Sequence, residues 1–222
     1  MSEQTVWDKF KQFMGGTVIS TIGEINSLMP DSILFGSLLL YVLTQNIAFG
    51  AFAVFIFETV LSHRLISWVS SQTIGPSRPV DISCKVGFKT PQFAVERMFM
   101  HASYPSYGVF SISAIAMYLL LATKEFSNTL QAMGPEWESR TKVAYAFIIM
   151  VVTTFIIVRL IKCDTGSEVL ISFCLALIIG AIFFYINKSI FGEEAMNFLG
   201  LPYMVSKDSQ GAPIYICAAE NS

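Results

Sequence analysis

Four long apolar stretches, residues 33–61, 109–123, 143–158 and 169–186, alternate with short polar connectors, and this pattern constrains the chain more than any other feature. The first carries no ionisable side chain from residue 33 to residue 57. At about 1.5 Å rise per residue, a helix of that length crosses the roughly 30 Å of a bilayer's hydrocarbon with some tilt. Backbone amides in lipid have to be satisfied within their own segment, so each stretch is read as a helix. The fold class expected is all-α: a polytopic helical membrane bundle of about four transmembrane helices with interfacial helices. Gln45 and Asn46 mark the place where the first stretch would break into a re-entrant pair.

The composition agrees, with 54% hydrophobic and 14% charged residues and a net charge of −2. Soluble domains average about 25% charged residues, and no basic field points to nucleic acid. The partners implied are membrane lipids and other protein subunits. Three regions follow: an N-terminal amphipathic segment 1–32, a four-span membrane domain 33–187 with a long connector at 62–108, and a polar tail 188–222. The start does not read as a secretory signal, since acids and amides stand where a basic start and an apolar run belong. Trp7, Phe10, Phe13 and Met14 fall at helical spacing, which suits a short helix at a membrane surface or against the bundle. Gly15, Gly16 and Pro30-Asp31 bracket a separate short segment, with Asp31 or Ser32 as N-cap of the first span. In the tail, Phe191, Met196, Phe198 and Leu199 suggest a short interfacial helix stopped by Gly200 and Pro202, followed by a solvated extension.

With four spans, the N-terminus, the 124–142 loop and the tail share one side; the 62–108 and 159–168 connectors share the other. Lys and Arg divide equally between them, so the positive-inside rule selects no orientation. Cys84 and Cys163 fall on the same side, which allows a disulfide, while free thiols are the default. Cys174 lies mid-span as a small packing residue. Neither the cysteines nor the two histidines, His63 and His101, have metal-ligand spacing, and no metal or cofactor is called for.

The connectors hold the candidate chemistry. Three patterns stand out: Lys85-Val-Gly-Phe-Lys89-Thr-Pro91, Tyr104-Pro105-Ser106-Tyr107-Gly108, and Arg159-Leu-Ile-Lys-Cys-Asp164-Thr-Gly-Ser-Glu168. In that order they resemble the membrane branch of the type 2 phosphatidic acid phosphatase and haloperoxidase superfamily. There a Lys…Arg-Pro segment follows one span, Pro-Ser-Gly-His opens the next, and an arginine closes a further span. A histidine with an aspartate four residues on starts the last. The resemblance covers residues 33–187 and implies a phosphate clamped by cationic side chains, with one histidine attacking phosphorus and another protonating the leaving group. Ser106 matches the Pro-Ser serine, Lys85 and Lys89 the basic segment, Arg159 the motif arginine, and Glu168 the aspartate.

The departures bear on catalysis. Gly108 stands in place of the first histidine and Asp164 in place of the nucleophilic one. A carboxylate beside a phosphate adds repulsion, and an ordinary carboxyl group, with a pKa near 4, is a poor partner for proton exchange at neutral pH. No catalytic set is intact; the candidates are Lys85, Lys89, His101, Ser106, Arg159, Asp164 and Glu168. His101, five residues before Ser106, is read either as an interfacial imidazole or as a relocated base. A Glu58–Arg159 pair is a further hypothesis, since both stand near span ends on one side. Small residues at Ala176 and Gly180 would let another helix approach closely.

Two functions compete. One is a non-catalytic membrane subunit or scaffold; the other is a lipid-phosphate or prenyl-diphosphate phosphatase with an altered site. The compact Met- and Phe-rich style also resembles multi-pass membrane proteins of large double-stranded DNA viruses. That resemblance would imply a component of an internal virion membrane; an organellar membrane is the alternative.

Overall fold

The computed structural model describes residues 13–73, 84, 104–127, 130 and 135–198. After a π-helical turn at Phe13–Val18 come five long helices: α1 (Ile19–Thr44), α2 (Ile47–Thr73), α3 (Tyr107–Glu125), α4 (Pro135–Lys162) and α5 (Gly166–Phe191). A 3-10 turn, Glu193–Met196, follows. The described residues contain no strand. Four helices, α2 to α5, are long and apolar enough to cross a membrane, with α4 counted from Ser139.

The first expected span is the exception. It divides at Gln45–Asn46, and the helix that crosses is shifted to Ile47–Thr73, well past the expected end at residue 61. The break has a local cause. Gln45 adopts a left-handed conformation (φ 55°, ψ 19°) and donates its backbone N–H to the Tyr41 carbonyl, closing α1. Asn46 Oδ1 then accepts the Ala48 N–H at 2.9 Å, which caps the start of α2. Two polar residues thereby satisfy two helix ends and turn the chain back on itself. Leu34, Leu38 and Tyr41 of α1 face Ile47, Val54 and Phe57 of α2 along one groove, as in a helical hairpin. Gly50 lets the Tyr41 ring approach closely, since a Cβ there would lie 3.0 Å from it.

α1 also runs unbroken through Pro30, so Asp31 and Ser32 are interior helical residues rather than N-caps. The hairpin carries the start of α1 to the Arg159 end of the bundle, where a Cβ added at Gly23 would lie 3.9 Å from Lys162 Nζ. Entry on the 124–142 side, the sequence expectation, is therefore not what the structure has.

α3 is the central helix. Two thirds of its apolar window (67%) is buried, against 17% for α4. Its closest partner is α5, and small residues set the approach: Gly180 stands so close that an added Cβ would meet the Ala114 carbonyl at 2.9 Å. The small pair Ala176 and Gly180 thus serves contact within the bundle, and both are buried. Around this seam packs an aromatic cluster. Tyr118 stacks tilted on Phe55 at 4.2 Å between ring centroids and meets Phe184 edge-on at 5.2 Å. Such pairs add about 0.5–1.5 kcal/mol each beyond area burial.

The segment after α5 folds back into that cluster. Gly192, at φ 81°, ends the helix, Ala195 and Met196 are fully buried, and Phe198 packs edge-on against Phe52 at 5.0 Å. Tyr118 Oη donates to Met196 Sδ at 3.4 Å. Residues 1–12 and 199–222, including Trp7, Phe10, Cys217 and most of the expected tail, lie outside the described residues. Cys174 is exposed on the outer face of α5 rather than packed.

Candidate functional site

The cluster of interest forms where one end of the bundle gathers the start of α3, the end of α4 and the start of α5. Each terminus contributes one side chain for a local reason. Tyr104–Ser106 is a turn with a cis Tyr104-Pro105 bond, and Ser106 is the residue before α3. Arg159 stands in the last turn of α4, where a cation complements the helix dipole. Asp164 lies in the short α4–α5 turn, whose backbone is fixed by the Cys163 and Asp164 N–H groups donating to the Arg159 carbonyl at 2.8 and 2.9 Å. α5 then starts from a capping box. Thr165 Oγ1 accepts the Glu168 N–H, and Glu168 Oε2 accepts the Thr165 N–H at 2.8 Å.

Ser106 converges with Arg159 and Asp164, 53 and 58 residues further along the chain. Ser106 Oγ donates to Asp164 Oδ2 at 2.6 Å. Arg159 holds the same carboxylate in a two-pronged grip, Nε to Oδ2 at 2.7 Å and Nη2 to Oδ1 at 3.0 Å. Its Nη2 also reaches Ser106 Oγ at 3.4 Å, and Nη1 donates to the Cys84 carbonyl at 2.8 Å. Both charged side chains are only 8% exposed. A planar guanidinium matches a carboxylate fork-to-fork, which makes this the strong form of the interaction.

A disulfide closes the arrangement. Cys84 and Cys163 are bonded, with Cα atoms 5.6 Å apart, across 79 residues of sequence. Free thiols, the default expected for these cysteines, give way to the disulfide that their shared side allows. One half-cystine precedes Asp164 directly, and the other supplies the carbonyl on Arg159.

Beneath the Pro105–Ser106 turn lies a residue that carried no weight in the sequence. His63, fully buried in α2, donates Nε2–H to the Pro105 carbonyl at 2.7 Å. Its ring sits 5.0 Å from Tyr107 and 5.2 Å from Phe110. An apolar helix with a lone histidine gives no hint of such a long-range contact; only the fact that Pro105 must turn under Ser106 suggests a prop.

Of the remaining candidates, Glu168 is committed to its capping box. Lys85, Lys89 and His101 lie outside the described residues. Glu58 does not pair with Arg159; it accepts from Asn187 Nδ2 at 2.9 Å, deeper in the bundle and towards its opposite end. At that end Lys188 pairs with Glu125. Among the described residues no group of three His, Cys, Asp or Glu side chains is arranged to hold a metal ion.

The chemistry open to the cluster follows from its contacts. Arg159 is the side chain that would clamp a phosphate, but Asp164, Ser106 and the Cys84 carbonyl occupy four of its five N–H donors. No imidazole belongs to the trio, and the nearest one in the described structure is engaged with a backbone carbonyl. The groove of about 490 Å³ between α1 and α2 is apolar and does not include the cluster. Comparison of the chain with protein-family models, with curated proteins and with solved structures returns no match.

Proposed function

We propose that the protein is a non-catalytic multi-pass integral membrane subunit, a scaffold in which a phosphatase-like constellation serves as a structural clasp. One observation carries this reading: four of the five N–H donors of the Arg159 guanidinium are engaged by the protein's own groups. A phosphate entering here would have to displace a buried carboxylate held by two charge-assisted hydrogen bonds. It would also meet that carboxylate's charge. In the resembling superfamily a histidine stands where Asp164 is; substituting the carboxylate supplies the arginine with an internal anion. The clasp joins the starts of α3 and α5 to the end of α4, which suits a role in holding shape.

The outward faces support membrane and subunit partners. α4 presents Val143, Phe147, Met150, Ile157 and Ile161 as exposed apolar side chains along its length. In a bilayer these would meet acyl chains or helices of neighbouring subunits. The resemblance in style to membrane proteins of large double-stranded DNA viruses makes an internal virion membrane the location we favour, with an organellar membrane as the alternative.

A lipid-phosphate or prenyl-diphosphate phosphatase of altered mechanism is the second reading. What favours it is the convergence of Ser106, Arg159 and Asp164, in the order and at the helix ends the resemblance implies. Phosphate release from phosphatidic acid and from prenyl diphosphate separates the two. The purified protein should release none above a no-protein control. Turnover that Ser106→Ala, Arg159→Ala or Asp164→Ala abolishes would overturn the scaffold reading and establish an enzyme.

A further inference from the structure

The disulfide and the ion pair form one mechanical unit. Cys84 is bonded to Cys163, the residue before Asp164, and its carbonyl accepts from Arg159 Nη1. Opening the S–S bond therefore acts on both sides of Arg159 together. On one side Cys84, and with it the carbonyl on Nη1, loses its covalent tether. On the other, the α4–α5 turn loses a covalent anchor and retains its hydrogen bonds to the Arg159 carbonyl, the Arg159–Asp164 pair, the Ser106–Asp164 hydrogen bond and the α5 capping box. Cys163 is partly exposed at this helix end, outside the apolar middle of the bundle.

We propose that the Cys84–Cys163 disulfide is a redox-sensitive lock on the Arg159–Asp164–Ser106 clasp. In the oxidised state the connector at Cys84 is pinned to the α4–α5 turn, and Arg159 keeps all four of its hydrogen bonds. A dithiol reductant opens the lock by thiol–disulfide exchange. Its first thiolate attacks one sulfur and forms a mixed disulfide. Its second thiol displaces the protein thiol, and the reductant leaves as a cyclic disulfide. Two electrons and two protons pass to Cys84 and Cys163, which become free thiols. Arg159 Nη1 then loses its tethered carbonyl partner, and the turn carrying Asp164 loosens, while the α3–α5 seam stays packed. Disulfides in reducing compartments are commonly transient and redox-sensing, and in oxidising ones they are structural. The device is thus set by the side of the membrane that the Arg159 end faces.

The test uses the full chain in lipid nanodiscs with Cys174→Ser and Cys217→Ser, so that the two bonded cysteines alone report. Maleimide mass-tagging should add nothing before treatment with dithiothreitol and two tags after it. Tags before reduction would overturn the lock. Hydrogen exchange should quicken at least tenfold at the 163–168 amides on reduction, with no change at residues 110–118 and 176–184. It should return to its starting rate after reoxidation with glutathione disulfide. Unchanged exchange at 163–168, loss of protection throughout the bundle, or failure to recover would each refute a local, reversible switch. The Cys84→Ser/Cys163→Ser variant should exchange like the reduced protein. A variant that exchanges like the oxidised protein would show that the bond holds nothing. None of these readouts depends on whether the clasp has catalytic activity.

Discussion

Replacing Arg159 with Met is the sharpest perturbation of the clasp. The side chain keeps much of its length and apolar stem but loses every N–H donor. Four hydrogen bonds disappear: two to Asp164, one to Ser106 and one to the Cys84 carbonyl. Asp164 keeps the Ser106 hydroxyl and loses its counter-charge at a site where its side chain is 8% exposed. Exposed ion pairs contribute about 0–1 kcal/mol, whereas breaking one half of a buried pair costs about 3–5 kcal/mol. At 8% exposure the buried case applies. For a chain of 222 residues, each kcal/mol corresponds to roughly 2–4 °C, so the melting temperature should fall by about 6–20 °C. Arg159→Met/Asp164→Leu removes both charges and should cost less than Arg159→Met alone. What remains is the cost of leaving Ser106 and the Cys84 carbonyl short of a partner, about 1–3 kcal/mol each at most. Thermal unfolding in detergent across the four proteins of the cycle measures both quantities. A single variant within about 1 kcal/mol of wild type, or a double variant equal to the sum of the singles, would refute the buried-clasp argument.

Other consequences follow from the packing. Cys84→Ser/Cys163→Ser removes a link across 79 residues, for which loop-closure entropy gives about 4.5 kcal/mol. Chemical denaturation should show a loss of that order, and the same loss on adding reductant to wild type. Gly180→Val places a branched side chain where a Cβ already meets the Ala114 carbonyl at 2.9 Å; overpacking should cost about 1–3 kcal/mol, read as a lower melting temperature. Met196→Ala empties a fully buried position beside Tyr118 and should cost about 2–5 kcal/mol. A neutral result in the same assay would mean that the segment after α5 is not part of the core.

The transmembrane pattern was legible because hydrophobicity in long runs admits few alternatives. The expected 109–123, 143–158 and 169–186 lie inside α3, α4 and α5, each extended outward by polar or capping residues that hydropathy does not count. In the first stretch Gln45 and Asn46 marked the break, since each satisfies a helix end and two adjacent residues are enough for a reversal. Hydropathy did not show that the crossing helix would be the one after the break, running on to Thr73. Pro30-Asp31 misled. It reads as a helix boundary in sequence, yet α1 passes through it. At the site, the span pattern placed Ser106, Arg159 and Asp164 at helix ends on one side, and they meet at one end of the bundle. The pairing itself was not legible, since Glu58 was an equally good partner for Arg159 by side of the bundle alone. The disulfide was visible only as shared topology. His63 was invisible, because its partner is a backbone carbonyl 42 residues away.

Anion binding tests the central claim most directly, because the claim is that Asp164 takes the place a phosphate would otherwise occupy on Arg159. Inorganic phosphate titrated calorimetrically into the purified protein, beside the Asp164→Asn variant, makes the comparison. Wild type should show no saturable binding at millimolar phosphate, and Asp164→Asn, with the internal charge removed, should bind. Saturable binding by wild type that Arg159→Met abolishes would contradict the clasp and return Arg159 to the role of a phosphate ligand.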